Sequence, residues 1–298
     1  MSYSIGLDIG GTKINTGIVK NNRVFKNHQI KSPSKKGPKK LLREIKKAIN
    51  YYQPEKAKNI AISFAGPVDK KGKILHATNF SSTLENYNLK KALRKIFKKE
   101  IFIEHDGFCF VLAESILGAA KNYKYIIGLT LGSGIGGGLA VDNKIYTGYK
   151  NLAEIGHFKI LEKGFQCSCG RFGHFEAQAC GFSLEKYYKK ITGQNRSGKE
   201  IYKLSKKGDK KALKAAEITA KYLGLGLASL TNVLSPEIIV LGGGLSNFTK
   251  IITLSKKSFK QELVDPRHKK TKIVKSKLGQ KALLLGAYLT TKKRNYKL

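Results

Sequence analysis

The pattern that most limits the fold is a strand, glycine turn, strand unit that occurs twice in the chain. In YSIGLDIGGTKINTGIVK a short apolar run meets Gly10 and Gly11 and continues as a second β-rich run, with NRVFKNHQI following as a third short strand. β-rich runs on both sides of the glycines predict an antiparallel meander with a tight turn. After KSPSKKGPKK, read as a polar connector, residues 41–52 carry helical apolar spacing, and NIAISFAGPVD reads as a buried strand ending in a Gly-Pro turn. A helix near 89–99, the strand IFIEHD and a helix from about 110 to 120 complete the first half. YIIGLTLGSGIGGGLAVDNKIYTG restarts the pattern, IIVLGGGLS supplies a late strand and glycine turn, and ALLLGAYLTTKK a final helix. The repetition predicts two related α/β domains facing each other across a cleft. Residues 1–118 form the first, with the helix of 282–298 packing back on it, and residues 119–281 form the second.

Composition sets the outer limits. A chain of 298 residues, 41% hydrophobic and 26% charged, is an ordinary globular sequence long enough for two cores. No run of eighteen apolar residues occurs, and Asp8 arrives before a signal-peptide apolar region could form, so a cytoplasmic protein without membrane association is expected. Cys109, Cys167, Cys169 and Cys180 are too few for a disulfide scaffold. In an intracellular chain the Asn-x-Ser/Thr triplets at Asn79, Asn195 and Asn247 imply no glycosylation. The formal charge of +37 suggests nucleic acid, but its distribution argues otherwise. Lysines run from Lys13 to Lys297, mostly in amphipathic stretches such as KKLLREIKKAINYY and LKKALRKIFKK, where they form solvated helix faces. No nucleic-acid-binding motif accompanies them, so no specific nucleic-acid partner is expected. A salt-dependent attraction for polyanions or anionic substrates stays open.

One segment, AEIGHFKILEKGFQCSCGRFGHFE, interleaves metal-ligand types with carboxylates. His157, Cys167, Cys169 and His174 supply two imidazoles and two thiols, a set suited to tetrahedral Zn²⁺. Four protein ligands would close the coordination shell, so such a metal would brace a loop rather than activate water. Glu154 and Glu176 flank the set, and the braced loop would hold their oxygens ready to accept hydrogen bonds from hydroxyl groups. The other reading of the same residues is two ordinary reduced thiols and a surface histidine, since Cys-x-Cys alone is a weak signal.

The glycine turns also need a chemical reason. At Asp8, Gly10, Gly11 and Thr12 the positions without side chains let backbone N–H groups approach a phosphate, Thr12 adds a hydroxyl donor, and Asp8 is placed to hold Mg²⁺ through water. Gly132, Ser133, Gly134, Gly136, Gly137 and Gly138 repeat the arrangement in the second half. No GxxxxGK[ST] loop occurs, and the first turn has β-rich sequence on both flanks, unlike a dinucleotide fingerprint. A single such turn is more often a plain hairpin, but two in corresponding places of two half-chains favour a phosphate site. Gly242, Gly243 and Gly244, after IIVL, would let a flat base or ribose lie against the backbone.

DIGGTK (Asp8 to Lys13), AGPVD, EHD (Glu104 to Asp106), LGSGIGGG (Leu131 to Gly138), EIGH (Glu154 to His157), CSCGRFGHFE (Cys167 to Glu176) and IVLGGGLS together resemble the ROK family of repressors, open reading frames and sugar kinases, in the right order and over nearly the whole chain. The resemblance implies an actin-like ATPase, hexokinase-type (ribonuclease H-like) two-domain fold, ATP with Mg²⁺, a structural Zn²⁺ and usually a homodimer. Family repressors carry an N-terminal DNA-binding extension, and here DIGGTK starts at Asp8, so a kinase is expected. The resemblance makes Asp106 the catalytic base that takes the proton of a sugar hydroxyl as it attacks the γ-phosphate of ATP. It also makes Asn79, Glu154, His157 and Glu176 contacts to sugar hydroxyls, with the second ring nitrogen of His157 on zinc. Lys13 belongs to the same phosphate-binding stretch as Gly10 and Thr12. Closure over both substrates would exclude water as a competing acceptor.

Three departures from the family pattern stand out. His105 replaces an asparagine that binds sugar, which leaves the preferred hexose open and puts an imidazole beside the base. His174 replaces a zinc cysteine and gives a two-sulfur, two-nitrogen set. A short loop leaves contacts to an N-acetyl group unassigned. The leading expectation is a glucokinase-type hexose kinase. The alternatives are a fructokinase, mannokinase or N-acetylhexosamine kinase, or a catalytically weak sugar-sensing or polyanion-binding relative.

Overall fold

The computed structural model describes residues 3–76, 78, 80–292 and 296–298. The chain divides into two compact units, one of Met1–Asn122, Gly138–Ala153 and Lys277–Leu298, the other of Tyr123–Gly137 and Glu154–Ser276.

The first unit begins with β1 (Tyr3–Ile9), β2 (Lys13–Lys20) and β3 (Arg23–Lys31), then α1 (Gly37–Asn50), β4 (Ala57–Phe64), α2 (Leu89–Phe97), β5 (Glu100–His105) and α3 (Asp106–Ile116). Its sheet runs β3-β2-β1-β4-β5, antiparallel through the meander and parallel from β1 to β4 and β5. The five strands read from the first half of the sequence all form, the first three as the meander with its turn at Gly10 and Gly11. Inner strands β1 and β4 are buried on both faces, the reason they read as nearly continuous apolar runs. Edge strand β3 is mostly exposed and carries Arg23, Lys26, His28 and Lys31, charge and polarity that discourage pairing with another chain.

Three helix boundaries differ from the sequence expectation, the first being the final helix, which ends at Thr290 instead of running from 282 to 298. The connector KSPSKKGPKK is only partly irregular: α1 already begins at Gly37, with Pro38 in its first turn, where a missing N–H costs nothing. Helix α3 starts at Asp106 instead of about Phe110. Gly107 argues locally against helix, but Gly107 to Ser115 are all buried, and that tertiary burial overrides propensity.

The remaining strands are β6 (Tyr125–Leu131), β7 (Ile135–Val141), β8 (Lys144–Tyr146), β9 (Ile238–Gly242) and β10 (Lys272–Lys275), in the order β10-β9-β6-β7-β8, and the division between units falls within β7. The second unit carries α4 (Phe175–Ala179), α5 (Gly181–Thr192), α6 (Gly198–Lys206), α7 (Lys210–Leu234) and α8 (Thr249–Gln261). Helix α7 buries small residues along its length, and at Gly224 the α8 backbone comes so close that a Cβ would sit 2.5 Å from the Ser255 carbonyl. No helix among the described residues is long and apolar enough to cross a membrane.

Helix α9 (Ala282–Thr290) returns to the first unit and packs on β1, β4 and α3. It is buried nearly all round, so it is apolar on every face rather than amphipathic. Gly286 sits where a Cβ would lie 1.9 Å from the carbonyl oxygen of Cys109 on α3. Alanine is the better helix former by about 1 kcal/mol, but forcing two packed backbones apart costs about 1–3 kcal/mol. Gly286→Ala is therefore expected to lower stability, read as an earlier urea midpoint; a midpoint at or above the parent's would contradict the close approach.

Candidate active site

Asp8 lies one residue before the end of β1. Register places it opposite Asn15 on β2 and Ser63 on β4. Asn15 Nδ2 donates to its Oδ2 at 2.9 Å, and Ser63 Oγ donates to Oδ1 at 3.4 Å. Burial pushes the Asp8 carboxyl up to about 7; the Asn15 hydrogen bond and the Lys13 charge oppose the rise, and the neighbouring Asp106 carboxylate adds to it. A carboxyl held this way is partly charged near neutrality, and a cation beside it would favour the charged form. The turn above it is closed by the Gly10 N–H donating to the Lys13 carbonyl at 3.0 Å. Gly10, Gly11 and Lys13 are partly exposed and Thr12 fully so, leaving the turn accessible to a ligand.

Asp106 opens α3 directly after β5, at the positive end of the helix dipole. Its Oδ1 accepts the Gly107 N–H at 2.8 Å and lies 3.2 Å from His105 Nε2, so two groups converge on one oxygen and limit rotation of the carboxylate. His105 is itself buried, its ring edge-on to Phe108 at 4.9 Å between centroids. The imidazole that stands where the family has a sugar-binding asparagine thus also touches the carboxylate expected to act as base. Asn79 lies outside the described residues.

In the second unit the β6–β7 turn exposes Gly132 and Ser133, with Gly134 partly exposed and Gly136 following on β7. Gly132 N–H donates to Gly134 O at 2.9 Å, and Gly181 N–H donates to Gly132 O at 2.8 Å. Gly243, at φ +80°, approaches the same turn closely enough that a Cβ would meet Leu131 O at 2.4 Å. The structure therefore gathers Gly132–Gly134 and Gly242–Gly244 at one place, with exposed Gly243 and Gly244 beside the turn.

His157, Cys167, Cys169 and His174 present donor atoms that all lie within 4.8 Å of one another. His157 Nδ1 is 3.4 Å from His174 Nδ1 and 3.5 Å from Cys167 Sγ, and Cys169 Sγ is 3.3 Å from His174 Nδ1. Ligands on a tetrahedral zinc are about 3.3–3.8 Å apart, given Zn–N and Zn–S bonds of about 2.0–2.3 Å. The set fits. A turn from Cys167 to Gly170, with Gly170 at φ +88°, brings the two thiols to one side, and a bridge between Lys159 and His174 carries the second imidazole in. Burial pushes the Cys167 thiol up; burial first and then the His157 charge push His174 down, which favours the neutral imidazole that ligates metals. Glu176 joins this cluster to the glycine turn: Oε1 accepts from Cys167 Sγ at 3.3 Å and Ser168 Oγ at 3.0 Å, while Oε2 accepts the Ile135 N–H at 3.0 Å. Glu154 enters through its backbone, its carbonyl accepting the His157 N–H at 3.2 Å.

Sequence reasoning did not find Asn15, Ser63, Ser168 or Gly181. Asn15 was within reach, because counting equal steps outward from a two-residue turn at Gly11 and Thr12 sets it across from Asp8. The others depend on contacts between distant segments.

The fold is that of the ROK hexokinases, an α/β protein of actin-like ATPase type with two mixed sheets. The chain belongs to the ROK family, whose model matches residues 4–294. It is 28% identical to the glucokinase of Thermotoga maritima over 97% of both chains. It is 30% identical to the N-acetyl-D-glucosamine kinase of Photobacterium profundum, covering 97% of this chain and 99% of that one. It matches the crystal structure of a ROK family glucokinase from Streptomyces griseus in complex with glucose and AMPPNP with a TM-score of 0.89, at 27% identity over 98% of this chain and 100% of that chain.

The raised Asp8 carboxyl gives a pH signature with a definite sign. Unfolded, Asp8 ionises near the usual 3.8; folded, it keeps its proton until about 7. The folded state binds the extra proton between these values, so this group's contribution to stability falls as pH rises from about 4 to 7 and is flat above. Asp8→Asn should gain in urea midpoint over the parent on going from pH 5 to pH 8, and an unchanged difference would contradict the assignment.

Proposed function

We propose that the chain is an ATP-dependent hexose kinase that transfers the γ-phosphate of ATP to the 6-hydroxyl of glucose. The observation that carries this reading is the whole-length likeness to a ROK glucokinase whose structure holds glucose and a nucleotide together. Membership of the family over residues 4–294 supports the phosphotransferase class.

Phosphoryl transfer rests on positioning and charge neutralisation rather than covalent catalysis. In this reading Asp106 takes the proton from the attacking hydroxyl, while the Gly107 N–H and His105 hold its carboxylate in one orientation. Asn79, His105, Glu154, His157 and Glu176 bind the sugar's hydroxyls. Gly10, Gly11, Thr12 and Lys13, and likewise Gly132, Ser133, Gly134 and Gly136, bind phosphate through backbone N–H groups, the Thr12 and Ser133 hydroxyls and the Lys13 ammonium. Gly242, Gly243 and Gly244 give the base and ribose a surface without side chains. Asp8 is the residue to hold Mg²⁺ through water, and the metal would neutralise charge on the transferring phosphate. Zn²⁺ on His157, Cys167, Cys169 and His174 would supply a closed structural brace that keeps the flanking Glu154 and Glu176 in place. The family resemblance adds a homodimer, and the composition a cytoplasmic setting.

A second acceptor class, N-acetylhexosamines, is favoured by the N-acetyl-D-glucosamine kinase relative at 30% identity. A coupled ADP-release assay across glucose, mannose, fructose and N-acetylhexosamines separates the two. The best substrate should be a hexose, and Asp106→Asn should lower its kcat by about 10²–10⁴-fold, the usual contribution of a positioned base. No sugar-dependent turnover, with Asp106→Asn equal to the parent, would overturn the kinase reading. The brace is checked by elemental analysis and calorimetry. About one zinc per chain and a lower Tm after chelation are expected; a metal-free protein of unchanged Tm would remove it.

A further inference from the structure

Glu104 has no role in the chemistry above, yet it is a carboxylate only 1% exposed, two residues before Asp106. Its Oε1 accepts the backbone N–H of His105 at 3.0 Å. Its Oε2 accepts the Tyr296 hydroxyl at 2.9 Å and lies 2.7 Å from Lys297 Nζ. Both of the latter groups belong to the last three residues of the chain. This terminus is fastened to the edge of β8: Ile145 N–H donates to Tyr296 O at 2.7 Å, and Leu298 N–H donates to Ile145 O at 3.0 Å. Burial, and then the Glu104 charge, push the Tyr296 phenol up, so it stays a hydrogen-bond donor at neutral pH. A buried carboxylate that loses a paired cation is left under-compensated, and its surroundings must rearrange or hydrate.

We propose that Tyr296 and Lys297 are positioning residues for phosphoryl transfer: they lock Glu104, and Glu104, through the His105 amide, fixes the β5–α3 turn and the direction of the Asp106 carboxylate. The inference rests on the kinase reading for its catalytic consequence, but the lock is a property of the turn whatever the substrate. A reacting group displaced by about 1 Å costs on the order of 10²-fold in rate without weakening a distant binding contact. The lock therefore governs kcat, whereas the KM for ATP depends on the glycine turns.

The test uses the full chain with Lys297→Met and the double variant Glu104→Gln/Lys297→Met, which removes the charge on both sides. Steady-state kinetics are combined with hydrogen-exchange mass spectrometry of the peptide spanning residues 104–110. Lys297→Met should lower kcat for the best hexose by about 10–100-fold while the KM for ATP stays within about twofold. The 104–110 peptide should exchange faster while peptides from residues 154–276 do not change. The double variant should recover most of both losses. Parent-like kcat in Lys297→Met, unchanged exchange at 104–110, loosening spread over the whole first unit, or a double variant no better than the single would each overturn the proposal. If the parent turns over no hexose, the kinase reading fails, while the exchange comparison still decides the lock on its own.

Discussion

A single polar row crosses the first sheet near the carboxyl ends of β1, β4 and β5 and the amino end of antiparallel β2, and the site depends on it. Register aligns Asn15 on β2, Asp8 on β1, Ser63 on β4 and Glu104 on β5, all four buried. Two carboxylates in such a row are costly to desolvate. Each is made tolerable by a different device: Asp8 by an amide, a hydroxyl and a raised proton affinity, Glu104 by a phenol, an ammonium and a backbone amide. The next register step is apolar on three strands, with Ile14, Ile9 and Phe64, and reaches His105 on the fourth. The polar row is therefore anchored against a packed layer and cannot drift with the loops that follow it. Open α/β sheets bind ligands just beyond the carboxyl ends of their strands, which is where this row ends and where the Gly10 turn and Asp106 begin.

The second unit solves the equivalent problem with one carboxylate. Glu176 takes a thiol and a hydroxyl on one oxygen and the Ile135 amide on the other, so the His/Cys cluster and the glycine turn share a side chain. Gly134 is the residue this contact demands, since a Cβ there would lie 2.2 Å from Glu176 Oε2. A brace of the loop thus becomes a brace of the turn that carries Gly132 and Ser133. The same logic explains Gly156, where a Cβ would sit 2.1 Å from the Ile135 carbonyl. These glycines permit close backbone approach rather than flexibility.

Much of this was legible in the sequence because its signals are local. The β-rich run KINTGIVK and the apolar runs of β4 and β6 mark strands whatever surrounds them. The ligand types at His157, Cys167, Cys169 and His174 name a candidate metal-ligand set from chemistry and order, and the structure brings their donor atoms together. The start of α3 was misjudged, because Gly107 and the aromatic residues beside it read as irregular until burial is known. The partners of Glu104 were invisible for a different reason, lying 192 and 193 positions away in a stretch whose lysines look like solvated charge. The family itself was readable because its motifs follow in order from Asp8 to Ser246, and the family model matches residues 4–294.

The sequence by itself determined the element types, the family, the identity of the acidic and glycine residues and the candidate ligand types, since these depend on periodicity within a few residues and on side-chain chemistry. Only the tertiary structure decided which carboxylates are desolvated together, which oxygen of Asp106 is held, and that the chain's end reaches Glu104. Those facts are set by strand register and by contacts between segments far apart in the chain, and neither leaves a trace in local composition.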